Sequence, residues 1–343
     1  LEEPLYGKAN APDIDLPVMT SSQRPGRFNF RKIPETFLSN ASRAIVIAGP
    51  RILANWTDQH FNTLAGISES YSGIKGRSFI SSGDALMAGG NWKTDLQLTP
   101  TSIITVGNPT VSKTLKKWVT LLNIPHIHVG DCERTGYDSF NTLVKSIDAE
   151  PLEWLNEFSK TIEQDKKYLK AWNIEKSRLQ NILDDFSKRT SWSDLAAYRK
   201  IFKFFQRTSK TTLHFANSTS TRYALFFNLT KNLRLHTNRG VAGIDGCTST
   251  AVGHALSTKN RVNLITGDVA FLYDINGLST VQKLPQNLRI IVINNGGGGI
   301  FRWLEGPDQV GLLESHFETK PKTNIKTAAS FCGVDYFCGV DSE

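Results

Sequence analysis

Short apolar runs alternate with stretches of helical periodicity along the first half of this 343-residue chain. Runs rich in β-branched residues predict strands, and apolar residues spaced three and four apart predict helices. The predicted strands are residues 43–49, 77–81, 102–106 and 126–129, and the predicted helices are residues 53–64 and 111–122. Because strands that alternate with helices are typical of βαβ units, residues 31–190 are predicted to form a central Rossmann-like domain with a parallel sheet.

A second series of the same kind fills the C-terminal part of the chain. Its predicted strands are residues 212–216, 234–237, 261–266, 288–293 and 334–337, and its predicted helices are residues 220–227, 246–256 and 273–284. Residues 151–207 between the two series have helical spacing, and their charge-dense stretch 163–175 predicts helices that cross between domains rather than pack in a core. The predicted fold class is α/β, with two parallel-sheet βαβ domains, 31–190 and 191–343, joined by a helical segment.

Composition narrows the functional classes. The chain is 39% hydrophobic and 21% charged, which is typical of a globular protein, and its net charge of +8 suits an anionic partner. The basic residues are dispersed, so a phosphorylated or carboxylated small molecule is favoured over nucleic acid. No apolar run approaches the roughly 20 residues of a membrane span. The four cysteines form no metal-binding pair, so the sequence predicts a cytoplasmic protein without membrane or nucleic-acid partners.

Polar residues follow two apolar strands of the second series. Gly267 and Asp268 end one strand, and Asn295 and a run of glycines follow another. Ligands of parallel sheets bind beyond the carboxyl ends of the strands, and a carboxylate, an amide oxygen and a backbone carbonyl are ligands that Mg²⁺ prefers. These oxygens are candidate ligands for a divalent cation that carries a diphosphate. Each motif taken alone is also a common turn signal.

The two motifs are separated by 25 residues, and two further motifs precede them in a fixed order. These are Asn-Ser-Thr-Ser-Thr-Arg at 217–222 and Asn-Arg-Gly-Val-Ala-Gly-Ile-Asp-Gly at 238–246. Together the four segments resemble the menaquinone-pathway family of thiamin-diphosphate enzymes that make 2-succinyl-5-enolpyruvyl-6-hydroxy-3-cyclohexene-1-carboxylate (SEPHCHC). Val269 departs from the glycine usual at the third position of the diphosphate signature, and this departure points to that subfamily.

The resemblance implies an enzyme that uses thiamin diphosphate and Mg²⁺ or Mn²⁺. It would decarboxylate 2-oxoglutarate and add the resulting succinyl-semialdehyde carbanion equivalent to isochorismate. The metal ligands that it implies are Asp268, Asn295 and the Gly297 carbonyl, and the other cofactor-binding residues are Ile244, Gly267, Val269 and Ala270. The substrate-binding residues that it implies are Ser218, Arg222, Arg239, Ile300, Phe301, Leu304 and, with a poorer local alignment, Lys113.

Side-chain chemistry agrees with a site for carboxylates. Arginine offers a planar fork that matches a carboxylate and that lysine cannot reproduce. Ser218 and Arg222 lie four residues apart and therefore share one face at the start of a helix. A surface salt bridge is the alternative interpretation of Arg222 and Arg239. His214, His236 and His254 lack metal-ligand spacing and are interpreted as structural, hydrogen-bonded residues.

The resemblance also implies a preceding domain that binds the aminopyrimidine ring and supplies the activating glutamate. Residues 1–30 are therefore interpreted as a linker after that domain, and the second domain as incomplete at its C-terminus. On this interpretation the chain holds no catalytic residue and is inactive alone, and the full-length protein is a homodimer or homotetramer. Two alternatives stay open: another thiamin-diphosphate 2-oxoacid enzyme, such as one like acetolactate synthase, and a non-catalytic binding module.

Overall fold

The structure is a computed structural model that describes residues 33–50, 59–130, 138–208, 211–227, 233–239, 242–303, 309 and 311–341. Two parallel sheets, covered by helices, dominate it. The predicted α/β class with two parallel-sheet units is confirmed. The strands of the first sheet lie within residues 44–148 and those of the second within residues 211–293. The division of the chain into domains near residue 190 stays a prediction.

The first sheet has six strands in the order β5-β3-β1-β6-β7-β8, and β2 pairs with β4 in a separate parallel ladder. The strands are β1 (Ala44–Ala48), β2 (Gln59–His60), β3 (Ala65–Ser68), β4 (Ile74–Lys75), β5 (Ser78–Ile80), β6 (Ser102–Val106), β7 (His126–Gly130) and β8 (Leu143–Asp148). From the central β1 the chain winds first towards β3 and then towards β6. Loops that follow strands at such a reversal point form a crevice in open α/β sheets.

Eleven helices are described, and they cover the sheets or connect their strands. They are α1 (Glu35–Leu38), α2 (Gly83–Gly89), α3 (Lys113–Leu122), α4 (Pro151–Thr161), α5 (Lys166–Arg189), α6 (Asp194–Phe205), α7 (Thr219–Ala224), α8 (Cys247–Ser257), α9 (Asp268–Tyr273), α10 (Asn276–Ser279) and α11 (Ile325–Phe331). Short 3₁₀ segments occupy Ala41–Arg43, Asn91–Lys93, Leu96–Leu98 and Gly299–Trp303, and a π-helical turn occupies Leu313–Phe317.

The first sheet is buried on both faces because α5 covers the face opposite to α4. Trp154 and Phe158 of α4 pack with Val46, whereas Tyr168 and Trp172 of α5 pack in a second cluster with β1 and β3. All five residues of β1 are buried, as expected for a central parallel strand. The charge-dense stretch 163–175 therefore contributes two large aromatic side chains to the core around the first sheet, and its interpretation as a non-core crossing segment was wrong.

The second sheet has the order β10-β9-β11-β12, and all its strand pairs are parallel. Its strands are β9 (Thr211–Phe215), β10 (Leu233–Thr237), β11 (Arg261–Gly267) and β12 (Leu288–Ile293). The order reverses between β9 and β11, so the loops after these two strands lie at the crevice position. Strand β12 lies at the sheet edge and is half-buried, whereas its continuous apolar run predicts a buried strand.

Three further predictions were wrong in the described residues. In the predicted helix 53–64, residues 59–60 form strand β2 and residues 61–64 are not helical, and residues 53–58 lie outside the described residues. Of the predicted helix 273–284, only residue 273, at the end of α9, and residues 276–279, which form α10, are helical. Residues 334–337 form no strand. Among the helices that the structure describes, none combines the length and the apolar character needed to cross a membrane.

Candidate functional site

The ends of β11 and β12 meet at one edge of the second sheet, because Gly267 pairs with Ile293 in the parallel register. Asp268 follows β11 as the first residue of α9 and is almost fully buried, with 1% of its surface exposed. One of its carboxylate oxygens accepts hydrogen bonds from the backbone N–H groups of Gly296 and Gly297, each at 2.9 Å. The carboxylate therefore joins the two strand ends directly.

The hydrogen bonds of Asp268 leave room for one more partner. Its other oxygen accepts the backbone N–H of Val269 at 2.8 Å, so three of about four acceptor positions on the carboxylate are used. Burial raises the pKa of Asp268, and the three backbone N–H groups act in the opposite direction. A divalent cation at the remaining position would compensate for the burial of the negative charge.

Asn295 is exposed at the same edge, and its amide group has a fixed partner. The amide nitrogen donates to the Asp194 carboxylate at the start of α6, at 2.8 Å. This contact defines which end of the amide is the nitrogen, so the oxygen of Asn295 is directed away from Asp194 and stays available as an acceptor. Asp194 is a residue that sequence reasoning missed, and nothing in its local sequence distinguishes it from an ordinary helix-start aspartate.

The glycines at this edge leave open space. A Cβ atom added to Gly267 or Gly296 would meet nothing within 4 Å, and Gly296 has a φ of +83° that favours glycine. Gly297 lies against the Glu318 carbonyl and also has a positive φ. A carboxylate, an amide oxygen and backbone carbonyls beside open space are a hard-oxygen donor set, and they fit Mg²⁺ or Mn²⁺ carrying a diphosphate.

Ser218, Arg222 and Arg239 converge at the end of β9. Ser218 precedes α7 with a φ of +72°, which is unusual for a residue other than glycine, and its carbonyl accepts the guanidinium N–H of Arg222 at 2.9 Å. Arg239 donates to the side-chain oxygen of Asn217 at 2.8 Å. Burial lowers the pKa of Arg222, and the nearby positive charge of Arg239 lowers it further. Two half-buried guanidinium groups therefore lie close enough to repel each other.

A buried acid of the first sheet faces this pair of arginines. Glu69 follows β3 and is 2% exposed, and it accepts hydrogen bonds from the Thr110 hydroxyl and the Val111 backbone N–H at 2.5 Å each. Burial raises the pKa of Glu69 to about 7, and its hydrogen bonds and the charge of Arg239 limit the rise. Tyr71, two residues later, donates its hydroxyl to the Thr221 carbonyl on α7.

A cleft of about 440 Å³ lies between the C-terminal edges of the two sheets. Residues that follow strands of the first sheet form one wall, and the other is formed mainly by residues of β10 and the loop after it. The lining residues are Pro50, Tyr71, Asn108, Pro109, Thr110, Lys116, His214, Leu235, His236, Thr237, Asn238, Arg239, Ala242 and Thr250. We call this space the intersheet cleft. Lys116 and Arg239 give its walls a positive character, and the charge of Arg239 adds to burial in lowering the pKa of Lys116.

The remaining predicted site residues are placed as follows. Lys113 is exposed at the first position of α3, and Lys116, one turn later, borders the intersheet cleft in its place. Ile244 is half-buried just before α8. Ile300 and Phe301 are half-buried in the 3₁₀ segment after the glycine run, where Phe301 contacts Phe317 with ring centres 5.7 Å apart. Leu304 lies outside the described residues.

Three histidines come together on the second sheet, although they are far apart in sequence. His214 on β9 is the register partner of His236 on β10, and His254 lies on α8. A ring nitrogen of His214 lies 2.8 Å from a ring nitrogen of His254, and the rings of His214 and His236 are stacked with centres 4.9 Å apart. Burial and the two neighbouring imidazoles lower the pKa of His214 to about 3. The expectation that spacing excludes a metal-like cluster is therefore not supported.

Sequence reasoning missed Glu69, Lys116 and the convergence of the histidines for one reason. Each depends on which elements become neighbours, and spacing along the chain does not report this. The one available signal was that His214 and His236 are each the third residue of a predicted strand, so the two would be adjacent if those strands paired in parallel without a shift.

Comparison with known proteins bears directly on this site. Residues 217–343 match the family described as "Thiamine pyrophosphate enzyme, C-terminal TPP binding domain", and they include Asp268, Asn295 and both arginines. These residues therefore resemble the cofactor-binding domain of thiamin-diphosphate-dependent enzymes. The match begins at Asn217, where the loop after β9 enters α7.

Relatives that carry one shared name match the chain, two of them over nearly its whole length. The chain is 30% identical over 355 residues to the 2-succinyl-5-enolpyruvyl-6-hydroxy-3-cyclohexene-1-carboxylate synthase of Flavobacterium johnsoniae, covering 98% of the chain and 62% of that protein. It is 28% identical to the synthase of Flavobacterium psychrophilum, covering 100% of the chain and 63% of that protein. The synthase of Christiangramia forsetii is 40% identical over 47% of the chain and 27% of its own length.

The chain thus spans somewhat less than two thirds of the length of these SEPHCHC synthases. The family resemblance based on four motifs is confirmed, and thiamin diphosphate is the cofactor that the matching domain family binds.

Proposed function

We propose that this chain is the cofactor-binding part of a cytoplasmic SEPHCHC synthase of menaquinone biosynthesis. The whole protein decarboxylates 2-oxoglutarate and joins the remaining four-carbon unit to isochorismate, and it works as a homodimer or homotetramer. The names of the relatives support the product of this reaction. The two substrates follow from the family resemblance, and both are anions that suit the basic character of the chain.

One observation carries the proposal. The buried carboxylate of Asp268 bonds to the glycine loop after β12, so the Gly-Asp and Asn-Asn-Gly motifs form a single site. We assign Asp268, Asn295 and the Gly297 carbonyl as ligands of a divalent cation, with Gly267, Val269, Ala270 and Ile244 beside the cofactor. Two ordinary turns that bind no cation would not require a buried, charged carboxylate between them.

The cationic residues support an anionic substrate. Arg222 and Arg239 are half-buried and unfavourably close, which is costly unless a negative group binds between or beside them. We assign Ser218, Arg222 and Arg239 to substrate carboxylates, and Ile300, Phe301 and Leu304 to the apolar part of the substrate. Lys116 replaces Lys113 as the candidate from the first sheet, because Lys116 borders the intersheet cleft.

The residues of the chain prepare the site in three ways. When bound, thiamin diphosphate would supply a carbon nucleophile for the carbonyl group of the 2-oxoacid and a cationic ring that can take up the electron pair left by decarboxylation. Asp268 and Asn295 hold the diphosphate end through the cation, and Asp194 orients the Asn295 amide. Arg222 and Arg239 hold carboxylates by charge-assisted hydrogen bonds, which are stronger than neutral ones. Glu69 lies near Arg239 and partly balances its charge when no substrate is bound.

Binding of thiamin diphosphate in the presence and absence of Mg²⁺ tests the proposal. Titration calorimetry should show binding that depends on Mg²⁺ in the unaltered protein and is lost in Asp268→Asn. This variant has nearly the same shape but lacks the charge that holds the cation. Asp335→Asn, at an exposed position, is the matched control and should bind as the unaltered protein does. Equal cofactor affinity in Asp268→Asn and the control contradicts the proposed site.

Substrate assignment is tested separately in the whole protein. Product analysis with 2-oxoglutarate as donor should show coupling to isochorismate and none to pyruvate. Coupling of two pyruvate molecules instead would support an enzyme like acetolactate synthase and overturn the substrate part of the proposal while leaving the cofactor site intact.

A further inference from the structure

The histidine cluster has the composition of a metal site of a different kind from the one at Asp268. His214, His236 and His254 come from two neighbouring strands and the helix that covers them. Each offers one ring nitrogen, and the three nitrogens lie within 4.8 Å of one another. Because three separate elements fix these side chains, their convergence does not depend on a flexible loop.

The spacing is close to what a small cation requires. Zinc–imidazole bonds are about 2.0–2.1 Å long, so nitrogens bound to one tetrahedral ion are roughly 3.4 Å apart. The nitrogens of His214 and His254 are already 2.8 Å apart. The widest pair would have to close by about 1.4 Å, a movement that rotation of the half-buried His236 and His254 rings can supply.

The tautomer of His214 is compatible with a metal ligand. Its Nε2 atom lies 2.8 Å from Nδ1 of His254 and is therefore the nitrogen that faces the cluster. His214 is 3% exposed, and its opposite nitrogen, Nδ1, is buried without a hydrogen-bond partner among the described residues. The neutral ring can carry its proton on Nδ1 and keep the lone pair of Nε2 for a cation. His214 and His236 also line the intersheet cleft, which provides an entry path for an ion.

We propose that His214, His236 and His254 bind a late first-row divalent cation, with zinc as the best match, and leave a fourth position open to the intersheet cleft. Three neutral imidazoles with one open position are an established zinc donor set, whereas Mg²⁺ prefers oxygen ligands. Lys116 and Arg239 line the same cleft, so the fourth position favours hydroxide or a carboxylate oxygen that offsets the accumulated positive charge.

The two sites of the second sheet should therefore select different ions. Asp268 and Asn295 offer hard oxygen donors, and the histidine cluster offers nitrogen donors of intermediate softness. Binding at the cluster needs neither thiamin diphosphate nor the Asp268 site. Failure of this proposal and failure of the proposed function can thus be distinguished.

Metal titration of the purified protein tests the cluster. After removal of metals with a chelator, the protein is titrated with Co²⁺ and Zn²⁺ in excess Mg²⁺ and without cofactor. We expect one equivalent of Co²⁺ with the intense visible absorption of tetrahedral coordination, displaced by one equivalent of Zn²⁺. Azide, which binds an open position on cobalt, should change this spectrum, and an unchanged spectrum would overturn the open fourth position.

His254→Gln is the informative variant, because His254 is half-buried on the surface of α8 and its replacement disturbs the core little. Loss of an imidazole ligand should weaken zinc binding by more than about 10-fold, the loss that even an outer-shell partner causes. His316→Gln is the matched control, since His316 is exposed on the π-helical turn. His254→Cys should retain the metal and add sulfur-to-cobalt charge-transfer absorption.

The rescue by cysteine keeps the test decisive if the glutamine variant folds poorly. Absence of a tetrahedral cobalt spectrum in the unaltered protein would overturn the proposal. Equal zinc affinity in His254→Gln and His316→Gln would overturn it as well, because binding would then occur elsewhere on the surface. Retained cobalt binding in His254→Cys without a sulfur band would also show that residue 254 is not a ligand.

Discussion

At the edge of the second sheet, backbone N–H groups hold one buried carboxylate, and every participating residue lies within a few positions of a strand end. The intersheet cleft differs, because its charged side chains come from the two sheet units and lie more than 100 residues apart in sequence, as Lys116 and Arg239 do. The edge is encoded by short motifs, whereas the cleft is encoded by the packing of two units. The predictions below separate these two regions.

The largest expected effect is a separation of the two metal specificities. Asp268→Ala removes the charged ligand at the edge, so Mg²⁺-dependent affinity for thiamin diphosphate should fall by about 100-fold or more. Zinc binding at the histidine cluster should stay unchanged in the same variant. Calorimetry with each metal on the same preparation checks both. If Asp268→Ala lost both cofactor binding and zinc binding, the edge site and the histidine cluster would not be independent.

The second prediction concerns the buried acid beside the cleft. Glu69 has its pKa raised to about 7 in the folded protein, so the folded state binds the proton more tightly than the unfolded state. The stability that it contributes is complete below about pH 4.5 and is lost as pH rises to 7. Above pH 7, Glu69→Gln should be more stable than the unaltered protein by up to about 3 kcal/mol.

Urea unfolding of both proteins at pH 4.5, 6 and 8 checks the direction of this effect. The difference in unfolding free energy should be smallest at pH 4.5 and should grow with pH. A difference that is constant over this range would mean that Glu69 is already ionised in the folded protein. Glu69 would then carry a full negative charge beside Arg239 over this pH range, rather than being ionised only in part.

The third prediction tests whether the two arginines at the end of β9 act through guanidinium geometry or through positive charge alone. Arg239→Lys keeps the positive charge but loses the planar fork, so affinity of the whole protein for 2-oxoglutarate should fall about 10-fold. Arg222→Lys should behave similarly, because both guanidinium groups lie at the end of β9. Arg189→Lys, at an exposed position of α5 paired with Asp185, is the control. Unchanged affinity for 2-oxoglutarate in both Arg239→Lys and Arg222→Lys would indicate that the two arginines only form surface salt bridges.

The smallest expected effect concerns the orientation of Asn295. Asp194→Ala removes the acceptor that fixes the amide nitrogen, so the amide can rotate and Mg²⁺ affinity should fall by about threefold to tenfold. Asp194→Asn retains an acceptor oxygen and should restore most of the affinity. Calorimetric titration with Mg²⁺ at saturating thiamin diphosphate measures both. Equal losses in the two variants would indicate that the charge of Asp194 matters rather than its hydrogen bond.

Apolar runs predicted most strands because buried parallel strands need continuous hydrophobic residues. Ser102–Val106 and Leu288–Ile293 have the predicted bounds. Strand β3 was missed because its sequence, Ala-Gly-Ile-Ser, is dominated by small residues. Gly66 is required there, since a Cβ atom would collide with the Val46 carbonyl and the Phe79 ring. Such a choice reflects neighbours in space and leaves no periodic signal.

The same distinction explains the candidate site. Asp268 and the glycine loop could be predicted to meet, because ends of neighbouring parallel strands share one edge. Glu69 and Lys116 could not, because their approach to Arg239 requires two sheets to face each other. Prediction of the histidine cluster would have required knowledge of both the pairing of β9 with β10 and the position of α8 against them.

The central claim is that residues at two strand ends hold one cation that carries a diphosphate. The most direct test is a crystal structure with Mn²⁺ and thiamin diphosphate, in which anomalous scattering locates the metal. We predict one peak within about 2.0–2.3 Å of an Asp268 carboxylate oxygen, the Asn295 amide oxygen and the Gly297 carbonyl. A diphosphate-bound manganese ion away from Asp268 and Asn295 would contradict the account.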